Sequence, residues 1–150
     1  MRETAKRLIL ALSNIDEAYY LNESKKKLSD AELCVMYALD DGKPHSQREI
    51  SKEWLVPKTS VNTIVKRWEK EGFLTMTPIP GKRREMQILL TNSGREYAKS
   101  FLGFLYRAED QALRKTINKY SDEFIEVLEF FGSSLKQAFE EEVQDGSAEG

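Results

Sequence analysis

The sequence predicts a mainly α fold with a small β-hairpin, and three observations lead to that class. Residues 46 to 70 hold two short helix patterns separated by Leu55, Val56 and Pro57. Two β-rich runs, Phe73 to Thr77 and Met86 to Leu90, flank the turn-forming residues Pro78 to Gly81. On either side, residues 1–24 and 95–142 space their apolar side chains three and four apart, as amphipathic helices do. With 150 residues, 40% hydrophobic and 32% charged, the chain suits a single domain, 1–150, with a buried core and a solvated surface.

The first helix is marked by Leu8, Leu12, Ile15 and Tyr19 on one face, and Lys25 to Lys27 form a polar break after it. A second helix starts at Ser29, with Glu32 as its reciprocal cap, and aligns Leu33, Met36 and Tyr37 before Asp41-Gly42 ends it. The third opens at Ser46 with Glu49 three residues on, again a capping box, and buries Ile50 and Trp54 one turn apart. His45, just before that cap, reads as an exposed loop residue. Pro57 can begin the fourth helix, whose Val61, Ile64, Val65 and Trp68 fall at i, i+3, i+4 and i+7, and Gly72 ends it. Past Gly94 a long helix is predicted from Tyr97, Phe101, Phe104, Leu105, Ala108, Ala112, Leu113 and Ile117. After Ser121 another carries Phe124, Val127, Leu128, Phe131 and Leu135, and residues 144–150 read as a disordered tail.

The polar face of the fourth helix is the candidate functional surface. It carries Lys58, Thr59, Ser60, Asn62, Thr63, Lys66 and Arg67: short hydrogen-bonding side chains flanked by cations. A face needing only solubility would favour Glu, Lys and Ala, because Thr, Ser and Asn lower helix propensity without adding charge. Hydroxyls and amides at helical spacing suit base edges, and Asn62 can pair bidentately with adenine. Lys58, Thr59, Asn62 and Thr63 are the candidates for base contact, whereas Lys66 and Arg67 suit phosphates. Lys82, Arg83 and Arg84 lie at or beyond the hairpin tip, where long cations can reach phosphates or a minor groove.

These segments resemble the MarR-type winged helix-turn-helix transcriptional regulators. Leu28-Ser29-Asp30-Ala31-Glu32 is similar to the family's helix-opening Leu-Thr segment. Trp68-Glu69-Lys70-Glu71-Gly72-Phe73-Leu74 resembles its Leu-Glu-x-x-Gly-Leu-Val, and Leu90-Thr91-Asn92-Ser93-Gly94 its Leu-Thr-x-x-Gly after the wing. The resemblance implies a winged helix-turn-helix DNA-binding lobe over 28–94, flanked by helices that pack across a two-fold axis into a homodimer. It also implies a pseudo-palindromic operator read by two helices roughly 34 Å apart, repression as the commoner outcome, and release by a small aromatic effector. Tyr19, Tyr20, Met36, Tyr37 and Tyr97 lie near the junction where such an effector would bind. The chain departs from the family in the wing: the Asp-x-Arg positions hold Ile79 and Gly81. Lys82, Arg83 and Arg84 are expected to supply the missing contact at shifted positions.

A net charge of −2 and a pI near 5.6 look wrong for a DNA binder until they are divided along the chain. From Lys43 to Gln87 ten cations face five carboxylates, and from Phe101 onward five cations face eleven carboxylates. That segregation orients a chain on a polyanion, its acidic part held away. No apolar stretch is long enough to span a bilayer and no secretory leader is evident, so a cytoplasmic location is expected.

Enzymatic readings fail on inventory. One histidine, His45, and one cysteine, Cys34, cannot make a metal site, no glycine-rich phosphate loop is present, and no nucleophile, base and orienting group can be picked out. No cofactor is expected. Cys34 has no cation beside it in sequence to favour a reactive thiolate, so a redox role has little support. The alternative from another class is a winged-helix module that binds protein. Such a surface should show an exposed apolar anchor, whereas this face is cationic and rich in hydroxyls and amide.

Overall fold

The computed structural model describes residues 1–23, 28–82 and 85–148. Among these residues six helices and three strands follow one another as α1 (Arg2–Glu23), α2 (Asp30–Leu39), β1 (His45–Ser46), α3 (Gln47–Glu53), α4 (Lys58–Lys70), β2 (Leu74–Pro78), β3 (Met86–Leu90), α5 (Asn92–Tyr120) and α6 (Glu123–Ala148). The chain falls into two compact units, Met1–Leu105 and Tyr106–Gly150.

Within the first unit the core is built where α2, α3, α4 and the sheet meet. Leu33, Val35, Met36 and Leu39 of α2, Ile50 of α3, and Val61, Ile64, Val65 and Trp68 of α4 are buried, as are Leu74, Ile88 and Leu90 of the strands. Ala98, Leu102 and Leu105 of α5 are buried as well. The apolar stripe of α4 is therefore its inner face, which leaves the opposite side to solvent.

Both expected capping boxes are present. Ser29 N–H donates to Glu32 Oε2 at 2.7 Å, and Glu32 N–H donates back to Ser29 Oγ at 3.4 Å. Ser46 and Glu49 repeat the exchange at 2.7 and 3.1 Å. The end of α4 is a Schellman turn: Gly72 N–H bonds to Glu69 O, Phe73 N–H to Trp68 O, and Gly72 has φ of +78°. Because Phe73 serves that cap, β2 begins at Leu74 rather than at Phe73 and extends through Pro78.

The sheet has the order β1-β3-β2, all antiparallel. The tip between β2 and β3 closes with Lys82 N–H bonded to Ile79 O, Pro80 and Gly81 between them, and φ of +79° at Gly81, as a type II turn requires. Strand β1 corrects the reading of His45 as a loop residue: it pairs with Ile88, is half-buried, and its Nε2 lies 2.9 Å from Asp41 Oδ1. Two residues have no periodicity to reveal them.

Two further differences concern ends. The α5 helix starts at Asn92, which places Gly94 in its first turn rather than before it. The tail expected from Gln144 is helical as far as Ala148, because α6 continues through it. The Lys25 to Lys27 break lies outside the described residues.

Leu55, in the turn between α3 and α4, has φ of +54° and its side chain is 84% exposed. The left-handed region costs a side-chain-bearing residue about 1–2 kcal/mol, while glycine gives back about 0.5–1 kcal/mol through the unfolded chain. Leu55→Gly is thus expected to stabilise the protein by about 0.5–1 kcal/mol, seen as a higher midpoint in urea; a lower midpoint would mean that Leu55 makes a contact in solution.

Candidate nucleic-acid interface

A helix turns by about 100° per residue, so the buried stripe fixes where every other side chain of α4 points. Thr59, Thr63, Lys66 and Lys70 lie directly opposite Val61, Ile64, Val65 and Trp68. Lys58 and Asn62 fall on the flank toward the wing, the β2–β3 hairpin. Ser60 and Arg67 fall on the flank toward α2. Except for Ser60 and Asn62, which are half-buried, these residues are exposed. Thr63 Oγ1 donates to Thr59 O at 2.9 Å, which satisfies the hydroxyl's donor and leaves its lone pairs outward.

The wing-side flank opens into a concavity of about 380 Å3 lined by Ser46, Gln47, Arg48, Lys58, Asn62, Glu85 and Met86. The sequence does not point to Gln47 and Arg48, because the pattern of their helix shows its cap and its apolar residues and nothing of its outer face; only the packing of α3 on α4 brings them beside Asn62. Lys70 was missed as well, although its spacing of seven from Thr63 and four from Lys66 could have found it. The α2-side flank is a shallow trough of about 340 Å3, lined by Ser29, Ala31, Glu32, Thr59, Ser60, Thr63, Ile64 and Arg67.

Two of the expected phosphate cations are paired within the protein. Arg67 bonds through Nη2 to Glu32 Oε1, across 35 residues of sequence. Lys82 Nζ lies 2.8 Å from Glu85 Oε2. Arg83 and Arg84 lie outside the described residues.

Burial alone would raise the pKa of Glu32, but the hydrogen bonds from Ser29 and Arg67 outweigh it and hold the carboxyl below its ordinary value. Glu49 is lowered chiefly by the Ser46 N–H, then by the Ser46 hydroxyl. A group lowered on folding stabilises the protein fully above its unfolded pKa, near 4.5, and the contribution is lost as pH falls through the lower folded value. Stability is therefore expected to be level above about pH 5 and to fall below it. Glu49→Gln should make that fall shallower; an unchanged acid limb in urea melts would show that the caps do not set it.

The five residues expected near an effector come from three helices, α1, α2 and α5. Met36 is buried in the core, and Tyr37 tilts against Trp54 with ring centroids 5.1 Å apart. Tyr97 stacks on Phe73 at 4.2 Å and meets Trp68 of α4 edge-on at 6.2 Å. Burial, with Glu71 nearby, pushes the Tyr97 phenol pKa up. Tyr19 and Tyr20 are exposed on α1. No group of His, Cys, Asp and Glu among the described residues is arranged to hold a metal ion, and none of their helices is long and apolar enough to cross a membrane.

Two helices joined by a tight turn, the second with a polar outer face, followed by a two-stranded hairpin, define a winged helix-turn-helix protein. Residues 26–85, most of the winged lobe, match the model of the MarR family. The chain is 32% identical over 68 residues to the HTH-type transcriptional repressor NicR of Pseudomonas putida, a match covering 45% of this chain and 43% of that one. It thus spans less than half the length of that curated relative. NMB1585, a MarR family regulator from Neisseria meningitidis, superposes with a TM-score of 0.71 at 18% identity, covering 94% of this chain and 96% of that one. FabT of Streptococcus pneumoniae, solved in complex with DNA, superposes with a TM-score of 0.62 at 20% identity, covering 93% and 97%. At these identities the structural likeness establishes the fold alone.

Proposed function

We propose that this protein is a sequence-specific double-stranded DNA-binding transcriptional regulator, acting as a homodimeric repressor on a pseudo-palindromic operator. The outward face of α4 carries the reading. Two threonines and two lysines stand opposite the core, and Asn62 and Lys58 stand beside them, so hydroxyl, amide and ammonium groups can meet base edges and phosphates together. A module for binding protein would need an apolar anchor on this face, and Thr59, Thr63, Lys66 and Lys70 supply none.

The dimer is supported by what a single chain leaves uncovered. Ile9, Leu12 and Ile15 on α1, and Leu128, Phe131 and Leu135 on α6, are all at least 40% exposed. Apolar stripes of this length on two helices are costly in water and suit a second copy. An effector acting on Tyr97 would reach the recognition helix directly, through the Trp68 ring edge.

Asn62→Ala is expected to relax preference at one base position in each half-site at a cost of about 1–3 kcal/mol. Lys66→Ala should weaken all sequences alike and flatten the salt dependence by about one unit per contact. Anisotropy titrations on an operator and its single-base variants separate the two. Uniform weakening by Asn62→Ala would remove it from base reading. Phenols titrated against the complex test the effector, and retention of DNA with Tyr97→Ala at every phenol concentration that releases the parent would place Tyr97 in its action.

A further inference from the structure

Arg67 sits on the recognition helix among residues suited to phosphate, yet its guanidinium is bonded to a carboxylate that cannot follow it onto DNA. Glu32 is fixed at its other oxygen. Oε2 accepts from Ser29 N–H at 2.7 Å and from Ser29 Oγ at 2.8 Å, while Oε1 accepts from Arg67. One carboxylate thus caps the start of α2 and ties it to the last turn of α4. Its side chain is 13% exposed, against 47% for Arg67.

We infer that Arg67 is a positioning residue of the recognition helix rather than a phosphate ligand, and that Glu32 is the anchor that holds it. The inference rests on the DNA-binding reading above. A cation that binds phosphate releases counterions from DNA, whereas one whose charge is matched inside the protein releases few. What the pair controls is the roll of α4 over α2, and with it the aim of Thr59 and Thr63, which line the same trough. The bond spans 35 residues, so it constrains how two helices pack, not how either one forms.

The two roles predict opposite signs for one substitution. If Glu32 merely neutralised a phosphate-binding cation, Glu32→Gln would free Arg67, remove a negative charge near DNA and tighten binding. If Glu32 anchors the helix, Glu32→Gln loosens the aim and weakens specific binding. Glutamine serves in a capping box, so the start of α2 is kept.

The test is anisotropy titration of the parent, Glu32→Gln, Arg67→Ala, the double variant and Lys66→Ala. Each is measured against a selected operator and a scrambled duplex at several salt concentrations, below the melting temperatures read by circular dichroism. Glu32→Gln and Arg67→Ala should each lower the ratio of operator to scrambled affinity by about tenfold, the low end of what one misplaced base contact costs. The double variant should be no worse than either, and the salt slope should stay at the parent's value while Lys66→Ala lowers it. A slope lowered by Arg67→Ala with the ratio kept, or tighter operator binding by Glu32→Gln, overturns the proposal and leaves the DNA-binding reading standing. If Arg67→Ala does not fold, the sign of the Glu32→Gln effect decides. A parent that does not distinguish the two duplexes overturns both.

Discussion

Gly94→Ala is expected to cost about 3 kcal/mol or more and to lower the melting temperature by about 6–12 °C. A Cβ at this buried position would lie 1.8 Å from Phe73 O and 2.8 Å from Phe73 C. The carbonyl cannot retreat, because it accepts the Thr91 N–H at 3.0 Å. The peptide before it is held as well: Gly72 O accepts from Thr91 Oγ1 at 2.7 Å and from Ser93 Oγ at 3.0 Å. Gly94 N–H completes the knot by donating to Thr91 Oγ1 at 3.0 Å. The first turn of α5 and the end of α4 are thereby one piece, so the clash must displace the recognition helix or unfold the lobe. Ser93→Ala, which removes one hydrogen bond and adds no atom, should cost only about 1 kcal/mol. Thermal melts of the two variants check this; a Gly94→Ala melt within about 2 °C of the parent would contradict the close approach.

Leu128→Glu with Phe131→Glu is expected to give a folded monomer and to lower operator affinity by about 10²–10⁴, the usual loss when a second linked binding event is removed. Both residues are exposed in the single chain, 40% and 41%, so neither charge meets a packed core within it. In a dimer the same charges would be buried without partners, which costs several kcal/mol. Sedimentation gives the mass, and anisotropy on the operator gives the affinity. Because two lobes become one, the salt slope should fall by about half while each lobe keeps its base preferences. A dimeric double variant with parental affinity would place the interface elsewhere.

Local patterns were readable in this chain because their causes are local. Both Ser-x-x-Glu caps, the stripe of α4 and the glycine that ends it depend on residues within one or two turns, and the structure has them where the spacing places them. Strand β1 was not readable, since His45 and Ser46 become a strand only when β3 arrives beside them. Gly94 stands in the sequence as part of a motif, but its reason, the Phe73 carbonyl, lies 21 residues back and appears only on folding. The site divides the same way. The polar face of α4 is written in its own periodicity, whereas Gln47 and Arg48 join it through packing. The pairing of Arg67 with Glu32 depends on the crossing of two helices, which the chemistry of neither residue reveals in the sequence.

Whether α4 reads sequence from a symmetric pair of lobes is decided by selecting a randomised duplex library on the purified protein. The selected duplex and a scrambled control are then titrated by anisotropy at several salt concentrations. A pseudo-palindromic winner is expected, its half-sites one helical turn apart, bound about 10³-fold or more tightly than the control, with Asn62→Ala altering one position in each half. Equal and weak binding to both duplexes, falling steeply with salt, would mean that only charge is being read, and would contradict it.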